Sequence, residues 1–575
     1  MASKRSKRRR RRRRSGGYVF LIVLLLLFIA GVILYSKFFG YTKETADLND
    51  YYSLENDRQA GVVINNSVMG ARGLVTGGVP YVDYDTVANY ISSRFYVDTN
   101  EQLLLYALPN AIIKVKPESK SYSDGNEKIK LGYPIWLMED DTPYIALDFI
   151  KAYSPINAVF AEDPNRIMIT TKFGEVQTAE VKRKTQIRKL AGVKSPVLKE
   201  LKKGDKLTWI DTVDDWYHVR TEDGFIGYVP QKFLTDQETR QITCDYTEPE
   251  YGHLLEDGTI CLVFDNVTNT VANKGLGDRM SGVRGVNVIA PTWFTVLNTN
   301  GKVGSIASRD YVKRAHRSGM KVWATFRDFD SEGINSNKET YQLLSRTSVR
   351  TAMIKDLMSK AVVAGVDGIN VDFEKISSKC GRSYVQFIRE LSFACHRRGL
   401  VLSVDNYVPK LYNGHYGRKE QGVFADYIVI MGYDEHTYGS EEAGSVASHE
   451  FVEDGIEKTI ADVPSERVIN ALPFYTRIWE ESSKGLTFRS YGMAGAAAAV
   501  KEAGAKAKWD KKTHQDYAEW KKDGVTYKVW LENAKSIEDK LDLMSEYNLA
   551  GVGGWRLGQE TSNIWPLIDA YLMEE

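Results

Sequence analysis

The chain has 575 residues, with 76 Lys and Arg against 75 Asp and Glu, and a net charge of +1. It is too long for one ordinary domain, so roughly three or four are expected. Four cysteines (Cys244, Cys261, Cys380, Cys395) are too few for a disulfide scaffold; they could form two bridges or none. The His residues are scattered and no His-Glu-x-x-His occurs, so neither a metal nor another cofactor is expected.

The near-neutral balance hides an asymmetry. Residues 4–14 hold ten basic residues and no acid, leaving 66 basic against 75 acidic residues elsewhere, or −9. The basic tail (1–17) abuts Tyr18–Tyr35, which has no charge and is rich in Leu, Ile, Val and Phe. A spanning helix needs about 17–25 such residues. Tyr at both ends suits interfacial anchoring, and the positive-inside rule puts the basic run in the cytoplasm. Bulky residues follow at Tyr35–Phe39 where signal-peptide cleavage would need small ones. An uncleaved single-pass anchor over 18–36 is therefore expected, with the rest of the chain outside the cell. Arg-rich runs also bind nucleic acid, but beside a spanning helix no nucleic-acid partner is expected.

Residues 37–61 read as a polar linker. Residues 62–175 contain an internal repeat: Pro80-Tyr-Val-Asp-Tyr-Asp-Thr-Val-Ala-Asn-Tyr90 returns as Pro143-Tyr-Ile-Ala-Leu-Asp-Phe-Ile-Lys-Ala-Tyr153. A β-rich stretch follows each copy, so a duplicated helix-plus-hairpin unit is predicted. It resembles the N-terminal stalk domain of copper amine oxidases, which implies a spacer. With no His in the segment, it brings no copper site.

Residues 180–236 carry short strands joined by Gly204-Asp205 and Asp223-Gly224 turns, the pattern of a small β-barrel. Leu201-Lys-Lys-Gly-Asp-Lys-Leu, Asp215-Trp-Tyr-His-Val-Arg and Gly224-Phe-Ile-Gly-Tyr-Val229 resemble a bacterial SH3-type domain. That resemblance implies a module able to hold cell-wall peptide. Trp216 and Tyr228 are equally suited to core or ligand platform.

From residue 247 onward the pattern changes to alternating strands and helices. Strands are predicted at Thr259–Asn266, Val286–Pro291, Lys321–Phe326, Gly368–Glu374, Leu400–Val404, Tyr427–Gly432, Arg467–Leu472 and Gly551–Trp555. Amphipathic helices are predicted at Thr351–Ala364 and Tyr384–Arg398. Eight strands over roughly 320 residues suit a (β/α)8 barrel. The interval Thr476–Leu549 is too long for one helix and is expected to hold an inserted α+β lobe walling the cleft.

Within this region, Asp367-Gly-Ile-Asn-Val-Asp-Phe-Glu374 alternates apolar and polar residues. A strand sends i, i+2 and i+4 to one face, so Asn370, Asp372 and Glu374 should form a row. Such a row is where an acid with a raised pKa meets a charged helper. Glu374, at the strand end, is the candidate acid.

The segment resembles the Asp-Gly-x-Asp-x-Asp-x-Glu signature of glycoside hydrolase family 18, of the chitinase and spore-germination cell-wall N-acetylglucosaminidase type. Met431-Gly-Tyr-Asp434 and Gly551-Val-Gly-Gly-Trp-Arg-Leu-Gly558 resemble later landmarks of that family. The resemblance implies a retaining, substrate-assisted glycosidase cleaving β-1,4 bonds next to N-acetylglucosamine in peptidoglycan or chitin. It implies that Glu374 protonates the leaving oxygen and that Asp372 and Tyr433 hold the substrate acetamido group. Trp555 would pack beneath the sugar, Asp367 would prop the strand, and Asp434 and Arg477 would line the cleft. Asn370 departs from the family's Asp, as in relatives thought to cleave spore or cell-wall glycans. Losing that charge is expected to lower the pKa of Asp372. The anchor, spacer and SH3-type module favour peptidoglycan as substrate. A surface glycan-binding protein without catalysis is the alternative.

Overall fold

A computed structural model describes residues 15–573. The basic tail expected over 1–17 lies largely outside the described residues. Two compact units are present: one runs to Ser92 and resumes over Ile135–Glu248, and the other joins Ser93–Pro134 to Pro249–Glu575.

The first unit begins with the helix Ser15–Phe39, whose stretch Tyr18–Phe39 is long and apolar enough to cross a membrane. The residues read as a linker are packed. Thr42 donates its N–H to Val193 O, and Ala46 to Val197 O, each at 2.8 Å, so this segment lies along the following β-barrel through a single parallel bridge at Thr45–Val197. Tyr52, in the short helix Leu48–Tyr52, is fully buried beside Phe225. The aromatic pair Tyr51–Tyr52 gives this polar stretch its apolar anchor.

A seven-stranded sheet follows, in the order 157–161, 166–170, 59–64, 67–76, 79–83, 142–146 and 136–139. Both copies of the repeat fold as strand then helix, Val79–Asp83 into Tyr84–Tyr90 and Thr142–Ala146 into Leu147–Ala152. The hairpin after the second copy joins this sheet, while the hairpin after the first belongs to the other unit. The SH3-type barrel is a second seven-stranded sheet over residues 174–242. In it Tyr228 stacks on His218 at 4.5 Å.

The second unit is built on eight parallel strands: β1 (Ile260–Asp265), β2 (Val288–Pro291), β3 (Lys321–Arg327), β4 (Gly368–Asp372), β5 (Val401–Tyr407), β6 (Tyr427–Met431), β7 (Val468–Pro473) and β8 (Gly551–Trp555). Each pairs with its chain neighbours, and β8 pairs with β1, so the barrel closes. Closure gives each of the eight strands a partner on both sides. Alternation sorts the side chains. Ile369 and Val371 of β4, with Leu402 and Val404 of β5, pack outward against the helices. Leu262, Trp323, Val401 and Val429 fill the interior. Asn370 and Asp372 therefore face inward, with Ser403, Asp405 and Tyr407 on β5.

Helix Thr347–Ala364 starts one turn earlier than its apolar pattern predicts. The reason is remote in sequence: Asp98 Oδ2 accepts from Thr347 N–H at 2.6 Å and from its hydroxyl at 2.7 Å. Asp98 ends the first strand of the meander 95–98, 103–107 and 112–115, which packs on this helix and on Gly381–His396. Tyr96 shares a 2.9 Å hydrogen bond with Ser383 there, and Arg350 pairs with Glu390 at 2.9 Å in the buried interface. The inserted lobe is a five-stranded sheet (475–482, 485–492, 508–510, 515–522, 525–531) with helix Met493–Glu502. All four cysteines are free thiols, and Cys261, Cys380 and Cys395 are buried.

Candidate active site

The C-terminal ends of the strands open into a cavity of about 540 Å³. Asp372, Glu374, Tyr433, Asp434 and Trp555 line it, so five of the eight predicted site residues come together there. A wider groove of about 720 Å³ adjoins it and shares Lys410, Glu435 and Phe451, but contains neither Asp372 nor Glu374. The chemistry therefore belongs to the smaller cavity.

Strand β4 ends at Asp372, two residues short of the predicted end, so Glu374 stands on the loop beyond it. Its N–H finds a side chain instead of a sheet partner: Asp328 Oδ1 accepts from Glu374 N–H at 2.8 Å, and Oδ2 from Lys375 N–H at 3.0 Å. Thr340 donates to the same carboxylate at 3.0 Å. Asp328 thus fixes the acid-bearing loop, and burial raises its own pKa to about 6. Tyr407, at the end of β5, donates its hydroxyl to Glu374 Oε2 at 2.8 Å. Burial raises the pKa of Glu374; the Tyr407 hydrogen bond opposes that rise by favouring the carboxylate.

Asn370 lies beneath, fully buried. Its amide donates to Asp405 Oδ1 at 2.7 Å and Ser403 Oγ at 3.1 Å. The pKa of Asp372 is held well above the carboxylate range. Burial is the main cause, followed by the charges of Glu374, Asp405 and Asp328. Asp405, which accepts from Asn370 on the neighbouring strand, is itself fully buried, and that burial pushes its pKa up to about 8. Asp372 Oδ1 is buried and has no hydrogen-bond partner. An acceptor in that state favours an incoming donor, because an unmet buried polar atom is costly.

Tyr433 packs edge-on to Tyr475 at 6.2 Å, and burial keeps its phenol protonated. Asp434 accepts from Arg477 Nη2 at 2.7 Å and from the Tyr475 hydroxyl. Arg477 also donates to His436 O at 3.0 Å, so it braces Asp434 from behind the cavity wall. Trp555 leans on Phe264 with ring centres 5.4 Å apart and turns its other surface to the cavity.

Asp367 is not in this cluster. It precedes β4 at the opposite end of the barrel, where Oδ2 accepts from Val322 N–H at 2.8 Å and contacts His316 Nε2 at 2.7 Å. Its role there is to prop β4 against β3. Asp328, Asp405, Tyr407 and Tyr475 were missed in the sequence. Asp405 and Tyr407 lie beyond the predicted end of the fifth strand; continuing its period of two would have placed both on the inner face.

Residues 294–560 match the family model "Glycosyl hydrolases family 18". The barrel is a family 18 glycoside hydrolase domain. Residues 184–235 match the family model "Bacterial SH3 domain". Among curated proteins, the chain is 25% identical over 296 residues to "Uncharacterized glycosylase YvbX" of Bacillus subtilis, covering 49% of this chain and 84% of that protein. It is 25% identical over 236 residues to the "Cortical fragment-lytic enzyme" of Bacillus subtilis, covering 39% of this chain and 54% of that protein. The Bacillus cereus spore cortex-lytic enzyme SleL shares the fold with TM-score 0.50 at 16% identity, over 65% of this chain and 90% of that one. The family 18 domain thus carries its candidate acid, Glu374, on a loop held by Asp328 and Tyr407.

Proposed function

We propose that this glycoside hydrolase cleaves β-1,4 bonds next to N-acetylglucosamine in peptidoglycan, by a retaining, substrate-assisted route. The observation that carries the reading is the pairing of Glu374 with Asp372. Glu374 is a half-buried acid at the cavity wall, with its pKa raised by partial desolvation. Asp372 beside it has an inward carboxyl oxygen lacking a partner. Cleavage begins with protonation of the leaving oxygen, which needs an acid still protonated near neutral pH. Glu374, whose pKa burial raises, is placed to give that proton and afterwards accepts one from water. Positive charge then develops at the anomeric carbon, and the substrate's own acetamido oxygen closes on it. Asp372 accepts from the acetamido N–H, and the Tyr433 hydroxyl donates to its oxygen, so both stabilise the cyclic intermediate. Asp434, held by Arg477 and Tyr475, lines the same wall, and Trp555 supplies a flat apolar floor for the sugar ring. Asn370 takes no part with substrate; it supports Asp405.

The helix Tyr18–Phe39 supports a single-pass anchor with the amino terminus in the cytoplasm and the barrel outside. Its continuation into residues 42–46, paired along the SH3-type barrel, keeps that barrel near the bilayer. Tethering raises the local concentration of wall glycan, and the SH3-type module would add a contact to wall peptide. The name of the cortical fragment-lytic relative supports peptidoglycan over chitin. The test is product analysis by mass spectrometry after incubation with purified peptidoglycan, chitin oligomers and cello-oligomers. Fragments with reducing N-acetyl sugars from peptidoglycan are expected, and no cleavage of cello-oligomers. Efficient hydrolysis of the cello-oligomers would remove the acetamido role of Asp372 and Tyr433.

A further inference from the structure

Three side chains remote in sequence and outside the catalytic cavity converge on one point. His449 opens helix His449–Ile460, which follows β6. His514 sits in the turn between strands 508–510 and 515–522 of the inserted lobe. Asp539 lies on helix Ala534–Glu546, which leads back into β8. His449 Nδ1 is 2.6 Å from Asp539 Oδ2, and His514 Nδ1 is 2.9 and 3.0 Å from its two oxygens. The two imidazole rings are 4.2 Å apart, and the three donor atoms all lie within 4.8 Å of one another.

We propose that His449, His514 and Asp539 form a binding site for a divalent transition ion of the zinc class, distinct from the catalytic centre. Imidazole and carboxylate are the donors that suit zinc. Donor atoms around one zinc ion stand roughly 3–3.5 Å apart, given bond lengths of about 2.0–2.2 Å, so these side chains need only a small adjustment. Both rings turn the same nitrogen toward one carboxylate, which makes the point of convergence a single ion-sized position. The side chains are 22, 36 and 26% exposed, so an ion can enter and keep water in its remaining position. His514 holds its ring there from a left-handed backbone, φ 54°, an uncommon conformation for a residue with a β-carbon. His449 is tied to the same turn through its N–H, which donates to Thr513 O at 3.1 Å.

The ion would link the lobe to two helices of the barrel. Thr513 and Ser448, the neighbours of His514 and His449, line the groove that adjoins the catalytic cavity. The site would therefore hold the wall of that groove in place. No catalytic step runs through it, and the proposal does not depend on the identity of the substrate.

The experiment uses the full chain, treated with chelator, dialysed, and titrated with zinc chloride at pH 7.5. Bound zinc is counted by elemental analysis, and thermal unfolding is followed with and without zinc. About one zinc per chain and a higher unfolding temperature with zinc are expected. His514→Asn keeps a hydrogen-bond donor and tolerates the left-handed backbone, but removes a ligand. It should bind zinc at least about tenfold more weakly, given that even supporting residues of metal sites matter by 10–100-fold. His449→Ala should do the same, whereas His218→Ala, in the SH3-type barrel, should leave affinity unchanged. Cobalt should report the site through a visible absorption band that His514→Asn abolishes. The proposal is overturned if the parent protein binds no zinc, or if His514→Asn binds it as tightly as the parent. Either result would leave the three residues as a hydrogen-bonded triad.

Discussion

Tyr407 donates its hydroxyl to Glu374 Oε2 across 2.8 Å, from the end of β5 to the loop that follows the adjacent strand β4. The bond favours the ionised carboxylate, while burial favours the neutral acid. Glu374 is thus set between the two states needed of a group that first gives and then takes a proton. Tyr407→Phe removes the donor, so the pKa of Glu374 should rise further. The alkaline limb of kcat/KM, which reports the free enzyme's essential acid, should move to higher pH. A pH profile on an N-acetylglucosamine oligomer checks this; an unmoved alkaline limb would show that another group sets it.

Glu374→Gln keeps the shape of the side chain and supplies no acid. General acid–base catalysis contributes about 10²–10⁴-fold, so turnover should fall by at least that factor while affinity for the same oligomer persists. Near-parental hydrolysis by this variant would point to glycan binding without the proposed chemistry.

Asp405 is an acid whose folded pKa, about 8, lies above its ordinary value. The protonated form is bound more strongly by the folded state, so this group's stabilising contribution is full at acid pH. It is lost as pH rises through the folded pKa. Asp405→Asn retains an acceptor for Asn370 and cannot ionise. The parent protein should lose thermal stability between about pH 5 and pH 9 more steeply than the variant, measured by unfolding at both ends. Parallel losses in the two proteins would place the alkaline sensitivity elsewhere.

Asp98 caps a barrel helix from a hairpin some 250 positions earlier in the chain, accepting from Thr347 N–H and its hydroxyl. Asp98→Ala leaves both donors buried without that partner. Such a loss costs about 1–3 kcal/mol. Denaturant unfolding of the full chain should show it as a lower midpoint, with catalytic constants unchanged under native conditions.

The orientation proposed for the anchor has its own test. Protease added to intact protoplasts should digest the barrel and leave a short membrane-bound fragment. Barrel material protected until lysis would reverse the assignment.

Much of this protein can be read from local pattern. Eight apolar strands in βα order, the acids at 372 and 374, and Trp555 are all visible because a strand's period of two and a helix's period of 3.6 are written in consecutive residues. The short β-strands of the SH3-type barrel are legible for the same reason. What the tertiary structure alone decided are contacts between segments that no local period connects. It buried Asp372 beside Glu374 and Asp405, and that burial, with their charges, holds its carboxyl high in pKa. It set Asp367 at the far end of the barrel, since a strand's first and last residues face opposite mouths however close they stand in sequence. It sent the hairpin after the first repeat copy into the barrel unit and the one after the second into the seven-stranded sheet of the first unit. It also gathered His449, His514 and Asp539 from three segments, each of which alone carries a single, unremarkable donor. Burial and through-space charge act on distance in the folded chain, and that distance is set by barrel closure and helix packing, not by separation along the sequence.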